Sequence, residues 1–422
     1  RPVRVLAFGG YLRKPVVHGL AKLAGVIPID SGPKKVQRAL DEARAALQKG
    51  EIVGIFPEGA NTRTGQLQAF KPGLMRELEG ADVPVIPVYL DELWGSIFSF
   101  HGGRFFWKWP RKWPYRISIF FGPPVKNPSD IHQVRRAVQD LGAMAVQQRS
   151  QNMTLVTESF IRTCKKQKRR RKVVDTLGTD LTGGALLMRT LLARRLLARE
   201  VLDDDETHVG ILLPPSVAAI AINVAVALEK RTSVNLNYTV TPDVMNSCIK
   251  MAGLKHVLTS RKVMEKLDME LDAEVVFVDD LRDKLTLWDK LAAVAATYLT
   301  PASALVRHLK VREAKADDVL TVIFTSGSTG QPKGVMLTHA NVASNAEAIH
   351  QAVHITPADT LVGILPFFHS FGYTVTLWTV MALDVQGAYH FNPLDARQVG
   401  KMCENYQGTI LLATPTFLRS YL

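Results

Sequence analysis

An apolar, β-prone run, Leu320–Phe324, leads directly into a polar loop of ten residues, Thr325–Gly334, reading TSGSTGQPKG. The run has the character of a buried strand that delivers the loop. Within the loop, Thr325, Ser326, Ser328 and Thr329 offer hydroxyl groups. Gly327, Gly330 and Gly334 lack a Cβ, which lets the backbone take positive φ and approach a ligand closely. Successive backbone N–H groups in such a turn form a concavity that suits an anion. Lys333 adds a mobile positive charge. Together these groups suit a polyphosphate. The loop is not of the Walker A type, which needs Gly, four residues, then Gly-Lys-Ser/Thr.

The rest of the chain alternates strand and helix signals, an α/β pattern. Strands are expected at Val3–Phe8, Glu51–Phe56, Val83–Leu90 and Arg116–Phe121, and helices at Lys34–Lys49, stopped by Gly50, and Asp130–Gln148. From about Thr207 a second series begins. Its strands are Val209–Leu213, Val257–Thr259, Glu274–Val278 and Leu320–Phe324, with an apolar helix at Val217–Leu228. Residues 279–318 read as helix and loop. Between the two series, Arg162–Lys172 carries eight basic residues and no acidic one. It reads as a solvated linker or as a surface for anionic lipid. Leu186–Val201 places Leu187, Leu191, Leu192, Leu196 and Leu197 on one side with arginines interleaved. That fits a core-facing amphipathic helix or an interfacial one. The expected division is 1–150 for one α/β domain, 151–205 for a basic linker with an amphipathic helix, and 206–422 for a second α/β domain.

A chain of 422 residues is too long for a single typical core. Its 47% hydrophobic and 22% charged residues are those of a globular protein and exclude a disordered one. The formal charge of +13 favours an anionic partner without choosing among nucleic acid, anionic lipid and phosphorylated substrate. Cys164, Cys248 and Cys403 lie far apart and in no metal-ligand spacing, so no metal site is expected. Two apolar stretches, Ile211–Leu228 and Leu361–Leu383, contain Pro214, Pro215 and Asn223, and Pro366, His369 and Ser370 respectively; both read as buried core. Trp94–Trp113 mixes Trp94, Trp107, Trp109 and Trp113 with Arg104, Lys108, Arg111 and Lys112, a mixture suited to a membrane–water interface. Stacking on nucleic-acid bases is the other use of such a mixture.

The ten-residue loop resembles the signature of the adenylate-forming superfamily. Val335–Asn341 (VMLTHAN) and Leu365–Gly372 (LPFFHSFG) resemble segments that follow it there, and Val209–Pro215 and Ser233–Tyr238 (SVNLNY) resemble the amino-terminal subdomain. The resemblance covers about residues 177–422. It implies that Thr325, Ser326, Gly327, Ser328, Thr329, Gly330 and Lys333 bind ATP phosphates, that His369 lies by the acyl and adenylate pocket, and that Mg²⁺ offsets the phosphate charge. It also implies a carboxylate attack on the α-phosphate of ATP, followed by transfer of the acyl group to a thiol. The family's later motifs are expected beyond Leu422, so this stretch alone is expected not to catalyse ATP–pyrophosphate exchange.

Phe56–Arg63 (FPEGANTR), with Gly25–Asp30 (GVIPID), Phe70–Gly73 (FKPG) and Val83–Leu90 (VPVIPVYL) in order, resembles the glycerolipid acyltransferase family. The resemblance implies that Glu58, Gly59 and Arg63 bind the glycerophosphate acceptor; an arginine can hold phosphate oxygens in bidentate fashion. The family's catalytic histidine, four residues before an aspartate, is expected upstream of Arg1. His354–Asp359 and His390–Asp395 have that spacing but follow the phosphate loop, so neither is expected to be catalytic. The combination resembles a bifunctional acyltransferase and acyl-carrier-protein synthetase. That implies a fatty acid, acyl carrier protein or CoA, a lysophospholipid and a membrane surface as partners, at the cytoplasmic face of a bacterial inner membrane, with no nucleic acid. A fatty-acyl-CoA ligase fused to a phosphatidate-forming acyltransferase is the alternative. A basic nucleic-acid-binding protein and a non-catalytic membrane scaffold are the readings of other classes.

Overall fold

A computed structural model describes residues 2–10, 15–30, 32–78, 82–105, 108–109, 114–150, 153–326, 332–353 and 355–421. The chain divides into two compact units, Arg1–Arg149 and Ser150–Leu422. Both are α/β, as the alternating pattern implied.

In the first unit, β1 (Val3–Phe8) is the middle strand of a parallel sheet, flanked by β2 (Ile27–Ile29) and β3 (Ile52–Gly54). Helix α1 (Pro15–Leu23) links β1 to β2, and α2 (Pro33–Gln48) links β2 to β3. Parallel neighbours need such crossovers. A small core forms where Ala39, Leu40 and Ala43 of α2 meet Leu6 and Ile27. A short helix α3 (Gly73–Leu78) precedes β4 (Val88–Asp91), which pairs antiparallel with β5 (Ser118–Phe121), and α4 (Ile131–Ser150) follows. The expected strand Val83–Leu90 begins only at Val88. Pro84 and Pro87 have no N–H to give to a ladder, and between them only an isolated bridge, Val85 to Val125, forms.

The second unit holds two sheets. Strands β6 (Arg171–Asp175), β7 (Asp180–Thr182), β14 (Thr360–Gly363), β15 (Gln386–Tyr389) and β16 (Ile410–Leu412) make one, in the order β16-β14-β15-β6-β7. The other comprises β8 (His208–Leu212), β9 (Thr232–Asn235), β10 (His256–Thr259), β11 (Glu274–Phe277), β12 (Val319–Ser326) and β13 (Pro332–Thr338), in the order β11-β10-β8-β9-β12-β13. Its pairs are parallel except β12 with β13. The apolar helix Val217–Leu228 is buried on all sides, as a helix without a polar face must be. Asn223 on it exchanges amide hydrogen bonds of 3.1 and 2.8 Å with Asn235 of β9. The apolar stretches Ile211–Leu228 and Leu361–Leu383 are mostly core, the exposed turn at His369–Phe371 excepted, and no helix among the described residues is long and apolar enough to cross a membrane.

The stretch 151–205 is neither a linker nor an interfacial element. It forms the helix Val156–Lys166, the β6–β7 hairpin and the helix Gly183–Glu200, all packed into the second unit. Phe160, Ile161, Cys164, Leu186, Leu187 and Leu197 are buried in its main core. Most of the basic run finds partners within the unit. Lys172 is buried, and its ammonium donates to the carbonyls of Val380, Leu383 and Val385 at 2.6, 2.7 and 2.9 Å. The ammonium of Lys165 donates likewise to Ala296, Thr297 and Thr300. Lys166 and Arg170 both reach Asp384, Arg162 pairs with Glu158, and Arg171 with Asp180. A run that reads as free positive charge in one dimension is thus a set of carbonyl caps and ion pairs in three.

Candidate functional site

Strand β12 is buried from Leu320 to Ile323 and emerges at Thr325 and Ser326, which are exposed. Its antiparallel partner sets Lys333 across from Thr325 and Pro332 across from Ser326. The exposed Lys333 side chain therefore stands at the root of the loop beside the two exposed hydroxyls. Gly327, Ser328, Thr329 and Gly330 lie outside the described residues. At Gly334 a Cβ would come within 3.1 Å of Val322 and 3.4 Å of Phe324, so the hairpin packs closely there.

His369 sits in the turn that follows β14. Its ring is exposed and packs on Phe368 with centroids 4.6 Å apart, and Phe368 in turn meets Tyr238 edge-on at 4.9 Å. Tyr238 lies just beyond the carboxyl end of β9, the neighbour of β12, so the aromatic ladder brings the His369 turn to the carboxyl edge of the sheet that carries the loop. In open α/β sheets that edge is where ligands bind. Partial burial lowers the His369 pKa, which keeps the ring neutral at pH 7. Burial pushes the Tyr238 phenol up to about 12.

The turn is fixed from below. Gly372 opens a fully buried π-helix, Gly372–Thr379, a form found often at functional sites. A Cβ on Gly372 would lie 2.0 Å from the carbonyl oxygen of Pro366, an approach only glycine permits. The Tyr373 N–H donates to the His369 carbonyl at 2.9 Å. The Tyr373 hydroxyl meets Ser233 Oγ at 2.9 Å, and Thr321 of β12 donates its hydroxyl to the Ser233 carbonyl at 2.7 Å. A buried polar chain thus runs from the His369 turn through β9 to the loop-bearing strand. Sequence reading did not find the Tyr238–Phe368 and Ser233–Tyr373 pairings that hold the His369 turn, because each spans more than a hundred residues; the motif neighbours of His369 were the only signal.

In the first unit, the Glu58 carboxylate accepts the Gln68 N–H at 2.7 Å, which closes the loop after β3. Gly59 has φ +69° and donates its N–H to the Phe56 carbonyl at 3.1 Å. Arg63 is exposed, and its guanidinium stacks 3.7 Å over the Phe100 ring. Stacking uses the face of the guanidinium and leaves its in-plane N–H edge for an oxyanion. Arg63 makes no ion pair among the described residues, so Glu58 organises the loop backbone rather than the arginine. In the aromatic segment, Trp94 packs against His101 and accepts at its carbonyl the Tyr115 hydroxyl, and Phe100 stacks on Phe105; Trp109 is 95% exposed. Trp107, Arg111, Lys112 and Trp113 lie outside the described residues, as does His354. His390 and Asp395 come within 3.9 Å, but the His390 ring is buried against the Thr176 hydroxyl in the second unit. The described residues contain no group of three or more His, Cys, Asp or Glu placed to hold a metal.

A family model described as AMP-binding enzyme matches residues 160–422, and one described as Acyltransferase matches residues 1–91. Among curated proteins, the 3-[(3aS,4S,7aS)-7a-methyl-1,5-dioxo-octahydro-1H-inden-4-yl]propanoyl:CoA ligase of Rhodococcus jostii is 34% identical over 151 residues, 36% of this chain and 27% of that protein. The acyl-CoA ligase sidI of Beauveria bassiana is 31% identical over 180 residues, 41% of this chain and 31% of that protein. The chain therefore spans less than a third of the length of these relatives. Among solved structures, the N-terminal domain of FACL13 from Mycobacterium tuberculosis superposes with a TM-score of 0.52 at 21% identity, covering 64% of this chain and 65% of that one. The N-terminal subdomain of NpsA from Klebsiella oxytoca gives 0.51 at 16% identity, covering 63% and 61%. At these identities the likeness is one of fold.

Proposed function

The chain belongs to the AMP-binding enzyme family, and from that premise we propose that it serves a bifunctional enzyme that activates a fatty acid with ATP and passes the acyl group to a lysophospholipid. The observation that carries the reading is the pairing of Lys333 with Thr325 at the exposed end of β12, with the His369 turn tied to the same sheet edge. Lys333, Thr325 and Ser326 hold the ATP phosphates together with Gly327, Ser328, Thr329 and Gly330. Mg²⁺ accompanies the nucleotide through its phosphates rather than in an all-protein cage, as that ion commonly does. A carboxylate oxygen attacks the α-phosphorus, the bond to the β-phosphate oxygen breaks, and acyl-AMP and pyrophosphate result. The neutral His369 ring, on its aromatic ladder, borders the acyl group.

The thiol that then takes the acyl group is that of acyl carrier protein. CoA is the second reading, favoured because the relatives above are named CoA ligases. In the acyltransferase-family segment, Arg63 receives the phosphate of the lysolipid acceptor on a loop shaped by Glu58 and Gly59, at a membrane surface on the cytoplasmic side of a bacterial inner membrane. Support for that half is the free guanidinium edge of Arg63 above Phe100. The test is binding of a stable long-chain acyl-adenylate mimic, read as a rise in melting temperature. A long-chain mimic is expected to bind at least ten-fold tighter than its acetyl counterpart; equal affinity would remove fatty acid as the substrate class. Titration with acyl carrier protein and with CoA separates the two thiols.

A further inference from the structure

The segment Leu287–Leu299 is an amphipathic helix mounted the wrong way round for a soluble surface. It comprises the α-helix Leu287–Val294 and the π-turn Ala295–Leu299. Asp289 and Thr297 are buried on its inner side with Ala293. Outward it presents Leu287 at 70% exposure, Trp288 at 77%, Leu291 at 50%, Val294 at 43%, Tyr298 at 41% and Leu299 at 80%. A helix normally buries its apolar stripe and exposes its polar one. Here the attachment is polar: Asp289 pairs with Arg195 and Arg199 at 2.9 Å each and closes a capping box with Thr286. The inversion is therefore held in place and is not a loosely packed end.

The fringe of the stripe carries a basic excess, most of it at the Trp288 end. Around Trp288 stand Arg195, Arg199, Lys284 and Lys290, against the carboxylates of Asp289 and Glu200. Beside Tyr298, Lys168 donates to its carbonyl at 3.2 Å, whereas the Lys165 ammonium is taken up by the carbonyls of Ala296, Thr297 and Thr300 and adds nothing to the rim. An aromatic near each end, Leu291 and Val294 between them, Leu287 and Leu299 flanking them, and an excess of lysine and arginine at the rim is the chemistry of a helix lying in the headgroup plane of an anionic bilayer. At about 1.5 Å per residue the segment is far too short to cross one.

We propose that Leu287–Leu299 is the surface by which the second unit docks on an anionic lipid membrane. It gives the membrane partner of the reading above a place on the chain, and rests on that reading only for the partner. The experiment is flotation with phosphatidylcholine vesicles with and without phosphatidylglycerol, run alongside ATP titration. The chain is expected to float with the anionic vesicles, and L287S/W288S/L291S, which alters exposed positions only, to lose at least ten-fold in partition while ATP affinity stays the same. K290A, which removes one charge, is expected to lose about five-fold on anionic vesicles alone. Brominated-lipid quenching of Trp288, compared with W288F, provides a second readout should the triple variant fail to fold. Absence of wild-type flotation, equal flotation by the triple variant, or a triple variant that changes only self-association or carrier-protein binding would each overturn the proposal. Loss of ATP binding by the wild type would instead strike the nucleotide reading and leave this one standing.

Discussion

Single residues fix the candidate site more tightly than its motif suggests. Gly372 has no room for a methyl group, because the Pro366 carbonyl occupies the place of a Cβ. Gly372→Ala is expected to cost about 3 kcal/mol or more, as a backbone clash in a packed core must, and to disorder the His369 turn. Urea unfolding and the His369 ring signals in NMR read both effects; a variant as stable as wild type would show that the turn yields. His339 is buried 3% exposed, and burial pushes its pKa down to about 4. The unfolded chain, with a histidine near 6.5, then binds the proton first as pH falls. Stability from the neutral ring is full above about pH 6.5 and is lost between there and about 4. A pH series of urea midpoints should show that slope in wild type and lack it in His339→Gln.

At the level of elements, the helix Val156–Lys166 and strand β6 turn on Lys172. Its ammonium satisfies three carbonyls where the Val380–Ala382 helix ends, and the side chain is fully buried there. Lys172→Met keeps the volume and removes the donors, so it is expected to cost about 3 kcal/mol or more. Thermal melting decides, and a loss below about 1 kcal/mol would mean the carbonyls find other partners. Lys172 also shows where sequence reading stops. Strand β12 and the helix Val217–Leu228 were legible because burial imposes an apolar run and nothing competes with it. The hairpin β6–β7 was not, because its lysines and arginines find carbonyls and carboxylates up to about 210 residues away, as Lys172 does with Val385. The loop and His369 were legible as motifs. The ladder through Phe368 to Tyr238, and the shelf of Phe100 beneath Arg63, depend on the fold and leave no local trace. The exposed apolar stripe of Leu287–Leu299 carries a regular pattern, but the pattern alone does not say which side faces inward.

Across the whole molecule, charge is divided unevenly. Residues 1–149 contain 22 basic and 12 acidic side chains, a net +10 of the total +13. The segment matched by the acyltransferase model lies within that basic unit, while residues 150–422 hold 30 basic and 27 acidic side chains and are nearly balanced at +3. A high positive field suits anionic partners in general; the proposed ATP site in the balanced unit would instead gather phosphate charge locally, at one loop and one lysine. The central claim is thus local and can be tested directly. Isothermal titration of Mg²⁺-ATP into the chain and into Lys333→Ala compares them at equal melting temperature, since Lys333 is exposed. The account predicts saturable binding by wild type and a loss of roughly ten-fold or more in the variant, the worth of one charge-assisted phosphate contact. Equal affinity in the two proteins, or no binding by wild type, would contradict it.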